Sequence, residues 1–290
     1  MNYYKNFISA ITAITCAASL TSTSVAEEAQ SADLSLKYTP GKIYDTTQST
    51  NMLMNMGPGM QMDNLMVMNM LGHSKEHAKG VEVAISYEGM KMKVKMGENV
   101  VAEYDSEKED NNAELAAQLD PLLKTKFSAI FSKSGQYIEA KGLDQLKLDP
   151  KTGVTKETLE SMMKQGAIML PNREVKVGES WQAEIKVPMQ GVGKMEMSFD
   201  EKLVSISKID GRDIAKIEFT GKIKPLEMNQ NGVAVKIASK EITGTILFDI
   251  ELHQARKTEM NMELAMEAGG RKMSMTAITN QELTKVEDTK

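Results

Sequence analysis

Nucleophilic, zinc or copper chemistry in this 290-residue chain would have to be built from three histidines, one cysteine and 24 methionines. The nucleophilic option has little to work with. No serine stands in a G-x-S-x-G elbow, and Cys16 lies in an apolar N-terminal stretch. His73 and His77 are four residues apart (HSKEH), but the order is not H-E-x-x-H, the segment reads as a turn-like stretch between strands, and a metal would need a third partner. No G-x-G-x-x-G opens a helix after a strand, so a dinucleotide cradle is absent. The acidic run Asp105–Asp110 lacks calcium-loop spacing, and Lys108 interrupts it. It reads as a solvated linker ahead of a helix N-terminus, where negative charge is favourable. These residues imply a protein that is not an enzyme and carries no cofactor.

The methionines are the unusual feature. Eight of them fall between Met52 and Met70. Thioethers are soft ligands that select Cu(I), so Met52, Met54, Met56, Met60 and Met62, with His73 and His77, form one candidate copper set. Side chains at i and i+2 of a strand are rooted about 6.6–6.8 Å apart, too far for three sulfurs to meet without bending the chain. Methionine is also an adaptable filler of apolar surfaces. Met162, Met163, Met195, Met197, Met260, Met262 and Met266 occupy apolar positions far from the first cluster. On this second reading Met52, Met54, Met56, Met66, Met68, Met260, Met262 and Met266 line an apolar face suited to a lipid or other apolar small molecule, or to an envelope protein partner. A third reading is an envelope scaffold with a plain packed core and no ligand.

The elements that position these residues read mostly as strands. Alternation runs from Leu34 through Met52, Met54 and Met56, turns at Gly57-Pro58-Gly59, and resumes at Met60 and Met62. A slip near Asn64–Leu65 is expected before Met66, Met68 and Met70. Val81 to Tyr87 continue the pattern, and parity changes at Glu88-Gly89, as a bulge would produce. Lys91, Lys93 and Lys95 then alternate with Met90, Met92, Val94 and Met96, giving one apolar and one charged face. In the middle, Asn112–Lys124 has helical spacing despite Pro121, Phe127–Ala140 reads as a hairpin, and Thr155–Met169 as a second helix ended by Pro171. The last third is a meander with strands over 180–187, 194–207, 213–224, 233–238, 241–254, 257–267 and 271–286. The fold class expected is α+β, predominantly antiparallel, with long curved sheets or an open barrel around a helical segment at 112–170. A weak echo links Pro40–Tyr44 with Val177–Trp181, and Tyr104-Asp105 with Phe248-Asp249. It leaves open a single domain at 34–286 made of two diverged halves, 34–111 and 171–286.

The N-terminus has the parts of an export signal. Lys5 precedes the uncharged, largely apolar Phe7–Leu20, and Ser24-Val25-Ala26 puts small residues at −3 and −1 of a cut before Glu27. Residues 1–26 are thus expected to be removed and 27–33 to be a flexible lead-in, giving a periplasmic or secreted protein. Lipidation at Cys16 is the alternative, but Ala13-Ile14-Thr15 fits that site poorly. Without Cys16 no disulfide is available, and stability must come from a core. The net charge of −5 argues against nucleic acid as partner. Oligomeric state is left open.

Four segments occur in order with methionine-rich strands between them: VVAEYDSE (100–107), SKSGQYIEAKGLDQL (132–146), LPNREVKVGESW (170–181) and GTILFD (244–249). With these the chain resembles a family of uncharacterised exported bacterial proteins, a domain of unknown function, over roughly residues 34–286. The resemblance implies an exported, mostly β protein and supplies no catalytic residue.

Overall fold

The computed structural model describes residues 30–57, 59–145, 160, 163, 164, 169–189, 193–230 and 233–289. Residues 1–29, with the expected export signal, and most of the expected second helix at 155–169 lie outside these; Glu160, Met163 and Lys164 are helical within it. Among the described residues the order is β1 (Ser31–Asp33), β2 (Lys42–Asn55), β3 (Gln61–His77), β4 (Gly80–Met96), β5 (Asn99–Asp105), α1 (Ala113–Lys124), β6 (Phe127–Phe131) and β7 (Tyr137–Lys141). A single 3-10 turn at Leu143–Gln145 follows, then β8 (Glu174–Lys176), β9 (Ser180–Met189), β10 (Gly193–Ile209), β11 (Arg212–Ile223), β12 (Leu226–Gln230), β13 (Val233–Asp249), β14 (Gln254–Ala268) and β15 (Arg271–Asp288).

One antiparallel sheet of 13 strands contains all but two of these, in the order β7-β6-β4-β3-β2-β15-β14-β13-β11-β10-β9, with β5 added on β4 and β12 on β13. Strands β7 and β9 stand at its two ends, so the sheet is open and does not close into a barrel. The first and last thirds of the chain are joined by β15, which pairs with β2 from Ser274–Asn55 to Asp288–Lys42.

Alternation set most strand positions correctly, with three physical corrections. No slip occurs at Asn64–Leu65: β3 pairs with β2 without a break from Gln61 to His73, and Asn64 simply takes a position where its neighbours are methionine. The expected strands at 233–238 and 241–254 are one strand, β13, with an irregularity between Ser239 and Glu241, and Ile250 and Leu252 belong to the following turn. Part of the expected lead-in is ordered, because β1 pairs with β8 and buries Ala32. The parity change at Glu88-Gly89 is an irregularity in the β3–β4 ladder, where Asn69 pairs with Gly89 and Met70 with Tyr87.

Helix α1 begins behind Asn112, whose Oδ1 accepts the Leu115 N–H at 3.1 Å, and it runs through Pro121. It packs on β4 and β5, where Tyr104 donates its hydroxyl to Asp120 at 2.8 Å. The acidic run before it is a folded turn: Asn111 bonds both the Asp105 N–H (2.7 Å) and the Asp105 carbonyl (2.9 Å).

The main core lies on one face of β9, β10, β11, β13 and β14 and is closed by Leu34, Leu170 and Val175. Phe199 and Phe219 meet edge to face at 5.9 Å, and their rings lie where Gly221 and Gly244 have no Cβ. A smaller cluster joins Val81, Val83, Ala129 and Phe131 to Tyr38. The irregular segment 34–39 straps the two together. Gln254 donates to the Lys37 carbonyl at 2.6 Å, and Lys37 N–H to the His253 carbonyl at 3.1 Å.

Asp249 ends β13 and is fully buried. It accepts the Glu251 and Leu252 N–H groups (3.1 and 2.9 Å) and Arg212 Nη1 (3.1 Å). Asp249→Ala orphans all three donors and should cost about 3 kcal/mol, read as a shift in denaturant midpoint. An unchanged midpoint would show that this turn does not depend on the carboxylate.

Candidate functional site

Cross-strand register puts the methionines together. Residues directly opposite in an antiparallel pair share a face, with Cβ atoms about 4.5–5.5 Å apart. Met275, Met54, Met62 and Met96 are opposite one another in a row across β15, β2, β3 and β4. The next row is Met262, Ala277, Met52, Asn64, Val94 and Ala102, and the one after it Met260, Thr279, Thr50, Met66, Met92 and Tyr104. Met68 follows opposite Met90, and Met266 lies opposite Met273. Thus Met52, Met54, Met66, Met68, Met260, Met262 and Met266 all belong to one face of one sheet. Met56 follows β2 in the turn, half-buried, its N–H bonded to the Met60 carbonyl at 2.9 Å.

The same face carries the main core further along the sheet. Met260, Met262 and Met275 pack against that core. Met90 and Tyr104 are fully buried on the side where α1 lies. Met52, Met54, Met66 and Met68 join none of the buried clusters and are half-buried beside each other. The methionine face is therefore flanked by packed core on both sides and left partly open in its middle.

The histidines do not join it, and both lie in strand β3 rather than in a turn between strands. His73 has odd parity on β3 and faces the other way from the methionines, exposed. It is eleven positions from Met62, roughly 36 Å along an extended strand. His77 accepts the Lys79 N–H at 3.2 Å. Met60 is exposed in the turn. Of the expected copper set, the structure brings together Met52, Met54 and Met62, and adds Met275 and Met96, which lie far off in sequence. Spacing along one strand hid this, because the short distances run across strands. Among the described residues no cluster of three His, Cys, Asp or Glu is placed to hold a metal.

Two polar groups escaped the sequence reading. Asn64 interrupts the methionine face, and its Oδ1 is buried with no hydrogen-bond partner. The only signal for it was an amide at a methionine position. Glu201 lies opposite Trp181 and Phe219 in the main core, 1% exposed, with both carboxylate oxygens unpartnered. Burial pushes its carboxyl up to about 8, and the Trp181 indole draws it back only in part. That indole N–H lies close to the carboxyl but spends its hydrogen bond on the Met169 carbonyl at 3.2 Å.

A groove of about 670 Å³ crosses β9, β10, β11 and β13, with Gln182, Asp200, Lys202, Glu218, Thr220 and Thr245 among its lining. These six have the parity opposite to the core residues, so the groove belongs to the polar face. Gln182 donates to Asp200 within it at 2.7 Å.

Fold and face together define an open antiparallel β-sheet protein with one extended methionine-rich surface. Residues 145–255, from the 3-10 turn to the start of β14, match a family of unknown function (DUF6263). The match takes in LPNREVKVGESW and GTILFD, two of the four segments that carry the resemblance. No curated protein matches the sequence. Among solved structures, one titled for lipid–protein interactions in lipovitellin aligns over 88% of this chain and 26% of its own, at 9% identity and TM-score 0.51. The chain thus spans about a quarter of that protein, and the likeness is one of fold. The β domain of the Bordetella autotransporter Brka aligns over 83% of this chain and 98% of its own, at 7% identity and TM-score 0.25. The translocator domain of the autotransporter NalP from Neisseria meningitidis aligns over 86% and 90%, at 8% identity and TM-score 0.24. No helix among the described residues is long and apolar enough to cross a membrane.

Proposed function

We propose that this is an exported, non-enzymatic envelope protein that holds a lipid or another apolar molecule against its methionine face. The observation that carries the reading is the half-buried, continuous patch of Met52, Met54, Met66 and Met68, bordered by core and joined to no buried cluster. Methionine suits such a surface because its unbranched, polarisable side chain adapts to varied apolar partners. The fold likeness to lipovitellin, a protein whose structure is titled for its lipid interactions, agrees with this use of a wide sheet.

Native mass spectrometry of protein purified from its own host should show adducts of lipid mass. Met52→Lys with Met66→Lys should lower their occupancy about tenfold or more, since a charge must then be desolvated on the face. Asn261→Lys, at an exposed position of the opposite face, should leave them unchanged. A clean apo mass that takes up no added lipid would sink the reading.

The four-thioether row gives a second reading specific support, because it offers Cu(I) soft ligands on adjacent strands. On that reading Cu(I) is held against a competing chelator, and Met54→Leu with Met62→Leu abolishes the competition. A native protein that fails to compete ends it.

A further inference from the structure

The methionine face sorts charge as sharply as it gathers sulfur. Four successive rows cross β14, β15, β2, β3 and β4, from the one through Met275, Met54 and Met62 to the one through Gln281, Gln48 and Met68. No Asp, Glu, Lys, Arg or His springs from that face in any of the four. The pleat turns the intervening residues to the other side. There the same strands carry Lys91, Lys93, Lys95, Asp63, Glu259 and Glu263. A ligand on the methionine face thus meets no side-chain charge from these rows. An anionic head buried there would lose its water without gaining a cation, at a far higher cost than a neutral polar head.

The face is also graded. Along the seam of β2 and β15 the opposed pairs change from Met54–Met275 to Met52–Ala277, then to Thr50–Thr279 and Gln48–Gln281. Thioether and methyl give way to hydroxyls and then amides within six residues, about 20 Å. The Thr50 and Thr279 hydroxyls are 3.3 Å apart. One donates to the other, which leaves the second hydroxyl proton for a further acceptor. Asn64 is the diagonal neighbour of Thr50 across β2 and β3, about 7–8 Å away at the backbone. Its buried Oδ1 has no partner and calls for a donor. Met52, Met62 and Met66 are its neighbours by register, and such unbranched chains turn aside for a bound group. A hydroxyl meets both needs because it donates and accepts, whereas an ester alone only accepts.

We propose, on the reading that this face holds a lipid, that the lipid is uncharged and carries hydroxyls on its head, as a monoacylglycerol does. The head lies over Thr50, Thr279 and Asn64, and the chain runs toward Met54, Met62 and Met275. Three probes sharing one oleoyl chain test the class. Mature protein is offered an equimolar mixture of 1-oleoylglycerol, methyl oleate and 1-oleoylglycerol 3-phosphate, and the adducts are compared by native mass spectrometry. The 1-oleoylglycerol adduct should exceed each of the others about tenfold, the effect of one buried acceptor left without its hydrogen bond. Asn64→Leu with Thr50→Val should bring the ratio of 1-oleoylglycerol to methyl oleate down to near unity. Asn51→Leu, an exposed amide of the opposite face, should keep it. Methyl oleate or the phosphate taken up by the native protein as readily as 1-oleoylglycerol would overturn the class and leave the lipid reading standing. A ratio unchanged in the double variant would overturn the position of the head. Uptake of none of the three would bring down the lipid reading itself, and the class with it.

Discussion

Stability of the native protein should fall as the pH is raised from about 5 to 8, with Glu201 as the cause. Its carboxyl is buried between Trp181 and Phe219 without a hydrogen-bond partner, which pushes it up to about 8. An unfolded chain releases the same proton near the ordinary carboxylate value of about 4.3. Between those values the folded state holds a proton that the unfolded state has lost, so the stability present below the lower one drains away until the upper one is passed. At about 1.4 kcal/mol per pH unit, the loss is on the order of 4 kcal/mol by pH 8. Glu201→Gln should flatten the profile between pH 5 and 8. Glu201→Leu should also flatten it and raise the denaturant midpoint at pH 8 above that of the native protein, since a packed apolar group replaces a buried charge. A native profile that is flat over this range, or a Gln variant that keeps the slope, would sink the assignment.

The acid side has the opposite sign and other residues. Asp33, Glu82, Glu139 and Glu179 are all held below the ordinary carboxylate range. For Asp33 and Glu82, burial alone would raise the carboxyl, but hydrogen bonds and lysine charges outweigh it. Direct bonds from Lys79, and from the Lys176 N–H and Arg173, act on Glu139 and Glu179. Their contributions are present above about 4 and lost as the pH falls through the depressed values. Maximum stability should therefore lie near pH 5.

A comparable loss is expected from one methyl group at Gly135. This residue turns β6 into β7 at φ +83°, and a Cβ there would stand 1.5 Å from the Leu36 carbonyl oxygen. The turn and the strap 34–39 are in backbone contact, and neither can yield by rotating a side chain. Gly135→Ala should cost about 3 kcal/mol or more, from the left-handed backbone and from displacement of the strap. Hydrogen exchange at Leu36–Tyr38 should accelerate with it. Gly270→Ala is the matched control: φ is +76°, but nothing lies within 4 Å of the added carbon. That change should cost only about 1 kcal/mol. Equal effects at the two sites would mean that backbone strain, and not the strap contact, governs Gly135.

The methionine face shows how far the residues themselves lead. Alternation at Met52, Met54, Met66 and Met68 stated that these side chains share a side of their own strands, and it put the turn at Gly57–Gly59. It could not state that Met275 and Met96 stand in the same row as Met54. The Asn64 position was misread as a slip, because one amide among methionines looks locally like a change of phase. Glu201 was invisible for a related reason. Its strand alternates Phe199, Glu201 and Leu203, and only the closing of the core by Leu34, Leu170 and Val175 makes that carboxyl a buried one.

The physical division is between local and long-range choice. Each strand's period of two is a property of its own backbone, so composition and spacing determined the apolar faces, most hairpins, helix α1 and the absence of a motif for nucleophilic or zinc chemistry. Strand order is a choice among edges whose N–H and C=O groups are chemically alike. Only the tertiary structure decided that β15 joins β2 to β14, which turns separate methionine stripes into one surface. The same choice put Thr50, Thr279 and Asn64 beside one another on that surface. No residue in those three segments announces the other two, because what unites them is register.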